Sequence, residues 1–187
     1  SLRQLGERVL HHVLETDGGA FVLFTSFAAL NAVARQIRPA LEEHGIPVLV
    51  QVPLGSRSMI LDQFRNNDRS VLFGAASFWQ GVDVRGRGLR NVVITKLPFD
   101  PPDRPLTEAR LERIQATGGD PFREESLPRA VIKFKQGFGR LIRSKTDVGR
   151  VVVLDGRILT AGYGKRFLEA LPKGIPIVTE GTDAGSF

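Results

Sequence analysis

A chain of 187 residues with 42% hydrophobic and 25% charged residues has the size and composition of one globular domain that buries a real core. It holds no cysteine, which excludes a disulfide scaffold, cysteine-ligated zinc, an iron–sulfur cluster and a cysteine nucleophile within these residues. Its 26 Lys and Arg against 20 Asp and Glu leave a net charge of +6, a balance suited to a polyanionic partner such as nucleic acid or nucleotide phosphates. No apolar run reaches the roughly 18 residues of a membrane-spanning helix, so no membrane partner is expected. The chain opens inside an amphipathic pattern without a start methionine or a leader, and it reads as one domain, 1–187, of a longer cytoplasmic protein.

Along the chain, residues 2–15 place leucines and valines at helical spacing, and Asp17-Gly18-Gly19 stops that helix. Ala20 to Phe24 is an apolar run of strand length. Ser26 then stands as an N-cap before a helix beginning at Phe27. Val48–Gln51 reads as a strand, Ser58–Phe64 as a helix, and Ser70–Gly74 and Asn91–Lys96 as strands. Proline-rich stretches bound an excursion of about 98–127 that contains a helix over Leu106–Ala116. A helix runs from Leu127 into the 140s, Val151–Leu154 is a further strand, and 176–187 reads as a flexible tail. Strands alternating with helices predict an α/β domain, a mainly parallel sheet covered on both faces.

In such sheets ligands gather beyond the carboxyl ends of the strands, which directs attention to three segments. In Lys135–Ser144, Gln136, Arg140 and Arg143 fall at i, i+4 and i+7 and share one helical face, a spacing that suits a phosphate clamp and equally a solvated basic helix. Gly137 and Gly139 in that helix suggest that something approaches its backbone closely. In Phe78–Gly86, a tight turn after a strand is expected to expose backbone N–H groups, with Asp83 able to accept from a ribose hydroxyl or orient an arginine; Phe78 is a base-stacking candidate, while Trp79 reads better as a core plug. In Phe24–Phe27, Thr25 and Ser26 end a strand at a fresh helix N-terminus, a site for a phosphate or simply a cap. His11, His12 and His44 read as structural: His11 and His12 are adjacent on a helix and point to different faces, so no metal site is expected.

Taken in order, VLFTSFAAL, SFWQGVDVRG and QGFGRLIRS resemble motifs IV, V and VI of the second RecA-like motor domain of superfamily 2 helicases. The run from LPFDPPDRPLTEAR to KQGFGRLIRSKTDVGRVVVLDGR resembles the DinG/XPD branch, and bacterial DinG-type proteins most. The resemblance covers roughly residues 19–160 and implies a RecA-like, P-loop-NTPase-type three-layer αβα fold. It implies that Arg140 and Arg143 reach ATP phosphates, one of them as an arginine finger. Gln136, Gly81 and Asp83 would lie on the nucleotide side, and Thr25, Ser26, Ser77 and Phe78 along single-stranded DNA.

No G-x-x-x-x-G-K-[ST] loop and no Asp-Glu-x-His motif occurs in the sequence. By the resemblance, those groups, and with them the Mg2+ ligands, belong to a first RecA-like motor domain of the same polypeptide. The chain alone is therefore expected not to hydrolyse ATP, and the longer protein to be a 5′→3′ DNA helicase acting in DNA repair. Whether that protein carries an iron–sulfur cluster is left open. The alternatives are a nucleic-acid-binding module without a catalytic part and a nuclease-linked DinG-type protein in which ATP regulates cleavage.

Overall fold

Runs such as Ala20–Leu23 and Val71–Gly74 carry no charged or polar side chain at any position, a composition that suits strands covered on both faces. In a computed structural model, which describes residues 1–79, 88–101, 104–139 and 149–180, such runs form one parallel sheet. Its strands are β1 (Ala20–Leu23), β2 (Val48–Val50), β3 (Val71–Gly74), β4 (Asn91–Ile94) and β5 (Arg150–Val153), in the order β2-β3-β1-β4-β5. β1 is central, with Ala20 in register with Val71 on one side and Asn91 on the other.

Alternation along the strands builds two cores. Ala20, Val22 and Phe24 face α1 (Leu2–Glu15) and α2 (Phe27–Glu43) through Val9, Val13, Leu30, Val33 and Ile37. Phe21 and Leu23 face the opposite layer, made by α3 (Arg57–Arg65), α5 (Leu127–Phe138), α6 (Arg157–Thr160) and α7 (Gly164–Glu169). The result is the expected three-layer α/β architecture with a parallel sheet. After β1 the chain enters a helix on one face, and after the adjacent β4 it enters the other face, so the β1/β4 carboxyl end is a topological switch point.

Local rules place the ends. Asp17, Gly18 and Gly19 all adopt positive φ (51°, 78° and 59°), and the Gly18 N–H donates to the Val13 carbonyl at 3.0 Å, closing α1. A side chain at Gly18 would collide with the Arg69 carbonyl. The Asp17 carboxylate accepts from Arg69 Nε and Nη2 at 2.9 and 2.7 Å, tying the end of α1 to the residues before β3.

The excursion between β4 and α5 contains α4 (Pro105–Ala116) and a π-helical turn (Phe122–Ser126). The described part of α5 ends at Phe138, and its expected continuation into the 140s lies outside the described residues. Two short helices after β5, α6 and α7, were not expected; glycines at 156, 162 and 164 cut that stretch too finely for a helical period to show. Residues 176–180 have no regular structure, and the rest of the expected tail lies outside the described residues. Among the described residues, no helix is long and apolar enough to cross a membrane.

Candidate nucleotide and nucleic-acid interface

Thr25 and Ser26 stand directly beyond β1, at the switch point. Ser26 is the N-cap of α2, its Oγ accepting from the Ala29 N–H at 3.2 Å, and it is exposed. The cap occupies one first-turn N–H; those of Phe27 and Ala28 precede any intrahelical acceptor, which leaves an anion-friendly helix start. Thr25 is half-buried. Beside it, Thr95 donates from its hydroxyl to the Leu23 carbonyl at 2.7 Å, bracing the β1/β4 ends.

Gln136 is exposed on the last full turn of α5, next to exposed Lys135. Gly137 follows it, and its bare backbone faces the Trp79 indole: a Cβ there would sit 3.0 Å from the ring and 3.3 Å from Leu23. That is the close approach expected from a glycine inside a helix. The approaching group is a core side chain and not a ligand.

Of the two aromatic residues of the turn after β3 (Ala76–Trp79), one departs from its sequence expectation. Trp79 is 2% exposed, as expected of a core plug, and its Nε1–H donates to the Phe24 carbonyl at 2.8 Å. Phe78, expected along the nucleic acid, is also 2% exposed, packs on Phe21 at 6.1 Å, and has the Arg57 guanidinium 5.4 Å over its ring. It presents no open face for a base, because the turn directs it into the same core as Leu61 and Phe64. The main chain of Ser77 belongs to this turn, but its hydroxyl lies outside the described residues, as do Gly81, Asp83, Arg140 and Arg143.

Carboxylates hold the frame of this end. Asp100 accepts from Lys133 Nζ at 2.7 Å and from Arg129 Nε at 2.9 Å, clamping the loop after β4 onto α5. Burial pushes the Asp100 carboxyl up, but these two cations outweigh it and hold it below the usual carboxylate range. Asp155, just beyond β5, accepts from the Leu97 N–H at 2.9 Å and from Arg157. Burial raises it, and Arg157 with the two backbone donors brings it below the ordinary value.

Sequence reading missed a cleft of about 580 Å3 lined by Phe122, Arg123, Leu127, Gly162, Tyr163, Lys165 and Arg166. Phe122 is 39% exposed and lies 5.2 Å from Tyr163 and 5.8 Å from Phe99, ring to ring. Among the described residues no acidic partner engages Lys165 or Arg166. The available signal was Tyr163, the sole tyrosine, set among basic residues; the π-helical turn that brings Phe122 to it has no sequence signature.

At the other end of the sheet, His11, His12 and Glu15 offer ligand atoms within 4.8 Å of one another. The two histidines do take different faces, yet their rings meet edge to face at 5.0 Å. Arg150 donates to Glu15 at 2.8 Å and abuts His12 Nδ1 at 2.8 Å, and Arg8 lies 3.2 Å from His12 Nε2. Two guanidiniums thus occupy the place a cation would need, and the cluster works as an ion-paired network.

Comparison with known proteins places this geometry in a lineage. The family described as "Helicase C-terminal domain" matches residues 9–174. The ATP-dependent DNA helicase YoaA of Haemophilus influenzae is 44% identical over 172 residues, 92% of this chain and 26% of its own length. The 3'-5' exonuclease DinG of Bacillus subtilis is 43% identical over 164 residues, 87% of this chain and 17% of its own length. This chain therefore spans about a quarter or less of these relatives. Among solved structures, an apo XPD superposes with a TM-score of 0.66 at 20% identity, covering 91% of this chain and 34% of that one. Xpd4 of S. tokodaii gives 0.60 at 21% identity, covering 94% and 32%. At that identity the likeness speaks to the fold, which is RecA-like. Switch-point architecture, motif order and match over most of its length agree: the chain belongs to the helicase C-terminal domain family.

Proposed function

We propose that this chain is the second motor domain of an ATP-dependent DNA helicase and works with a first RecA-like motor domain of the same polypeptide. The observation that carries the reading is that buried Trp79 joins the chain just before exposed Ser26, through the Phe24 carbonyl, to α5 at Gly137, the neighbour of exposed Gln136. In this reading Thr25, Ser26 and Ser77 hold the backbone of single-stranded DNA, with the α2 N-terminus as the anion site. The aromatic and basic cleft at Phe122, Tyr163, Lys165 and Arg166 extends the track, stacking a base and neutralising phosphates.

On the nucleotide side, Gln136, Gly81 and Asp83 orient the triphosphate, and Arg140 and Arg143 place fixed positive charge against its oxygens. Phosphoryl transfer needs positioning and charge stabilisation more than covalent chemistry, and an arginine supplied from a facing domain raises such rates by about 10³ to 10⁵. Bound ATP with Mg2+, held through the first motor domain, supplies the phosphoanhydride whose cleavage drives translocation, here assigned 5′→3′.

The test is single-stranded-DNA-stimulated ATP hydrolysis by the full-length protein beside Arg140→Ala and Arg143→Ala. Loss of two or more orders of magnitude in at least one variant, with DNA binding retained, is expected; variants that match the wild type overturn the reading. The 187-residue chain alone is expected to show no arginine-dependent turnover. A nuclease-linked alternative is favoured by one observation, the exonuclease name of the Bacillus subtilis relative. Degradation of 3′-labelled single-stranded DNA by the full-length protein distinguishes it.

A further inference from the structure

Three of the segments that matter for the proposed motor meet at one indole. Trp79 is the last residue before the stretch that holds Gly81 and Asp83, and its Nε1–H donates to the carbonyl of Phe24, the residue before Thr25, at 2.8 Å. The six-membered part of the ring meets α5 at Gly137, where a Cβ would come within 3.0 and 3.1 Å of two ring carbons. Gly137 follows Gln136 and precedes Arg140 by three residues. The side chain is 2% exposed and touches no solvent-facing site, so it is not a ligand group.

A residue that only filled space here would need neither of these features. A phenylalanine or leucine pair would close the same volume without a directional bond, and a helix lying slightly farther off would tolerate alanine at 137 in place of a residue that weakens it. The bond instead fixes the height of the Phe24 carbonyl, and the bare backbone lets α5 rest on the ring at one register.

We propose that Trp79 is a positioning residue that couples the two faces of this motor half. Its indole ties the Phe24–Ser26 loop to the Gln136–Gly137 turn, so that nucleic acid seated at the loop changes the placement of the helix that leads to Arg140 and Arg143. The proposal rests on the motor-domain reading given above.

The experiment uses the full-length protein with Trp79→Phe, which keeps an aromatic ring but removes the donor, and Gly137→Ala, which pushes on the same contact from the helix side. Four quantities are read: affinity for fluorescent oligothymidylate, ATP hydrolysis without DNA, the factor by which oligothymidylate stimulates hydrolysis, and the melting temperature. Both variants are expected to lose at least tenfold in the stimulation factor while oligothymidylate affinity and DNA-free hydrolysis stay within about threefold of wild type. An unchanged stimulation factor overturns the proposal. So does a parallel fall of affinity, DNA-free rate and stimulation, which is the signature of a packing role; if Trp79→Phe fails to fold, Gly137→Ala decides alone. Wild-type protein whose hydrolysis ignores DNA refutes the motor reading itself, and that result is seen before any variant is made.

Discussion

His12 lies 3% exposed between two guanidiniums, Arg150 on Nδ1 and Arg8 on Nε2, with His11 and Glu15 beside it and Asn91 donating to its carbonyl. A neutral imidazole has one acceptor nitrogen, so only one arginine can be hydrogen-bonded and a second proton would face a cation on either side. Burial first, then Arg8 and Arg150, lower its pKa to about 4, with Glu15 opposing. The folded state therefore prefers the neutral ring, and the unfolded chain binds the proton more readily. Stability from this group is complete above about pH 6.5 and falls as pH drops toward 4, by on the order of 2 to 3 kcal/mol. Thermal melts across that window should show the slope in wild type and a flatter line in His12→Gln; an identical slope in both would refute the assignment. Residue type announced none of this, because Arg150 reaches His12 from a strand 138 positions away. Gly137 was more legible: its helix penalty signalled a close neighbour, though only the structure names Trp79. Phe78 was the base-stacking candidate and Trp79 the core plug, and the turn that buries both removes Phe78 from the list of base-stacking groups.

Elements were read well wherever their own period was long enough. α1, α2 and the strands fall within one or two residues of expectation, since an amphipathic stripe or an unbroken apolar run belongs to the segment itself. α6 and α7, with four and six residues, carry too little period, and the π-helical turn depends on its neighbours. α4 shows a different limit: its helical pattern is real, yet it contains no buried residue and Leu106 is 66% exposed. By contrast α5 is held firmly, by Phe134 and Phe138 in the core and by the Asp100 clamp on Lys133 and Arg129. Asp100 has a side chain only 13% exposed, so Asp100→Ala should destabilise by about 1 to 2 kcal/mol, read as a lower melting temperature and faster hydrogen exchange along α5. Arg3–Glu7 is the control, an ion pair 86% and 63% exposed whose loss should change stability by well under 1 kcal/mol. Equal effects of the two substitutions would show that the clamp does not hold the helix.

At the scale of the whole molecule, a net charge of +6 describes the domain but does not locate its partner. Much of the positive charge is internally committed: Arg69 to Asp17, Arg129 and Lys133 to Asp100, Arg150 to Glu15, Arg157 to Asp155. Lys165 and Arg166, beside a half-open aromatic ring, are not so engaged among the described residues, and this contrast is why the proposed function extends its single-stranded-DNA track to the Phe122–Tyr163 cleft. Stacking and charge then make separable predictions. Phe122→Ala in the full-length protein should weaken oligothymidylate binding by roughly 5- to 100-fold, the range of about 1 to 3 kcal/mol for one stacked base, with little change in salt dependence. Lys165→Ala and Arg166→Ala should each weaken binding and lower the slope of log affinity against log salt by about 0.7, one phosphate contact on a single strand. Fluorescence anisotropy at three or four salt concentrations measures both. If Phe122→Ala shifts the slope and the lysine and arginine variants do not, or if none of the three affects affinity, the cleft lies off the path. The proposed track is then confined to Thr25, Ser26 and the head of α2, where a helix N-terminus offers backbone N–H groups to a phosphate without any side-chain cation.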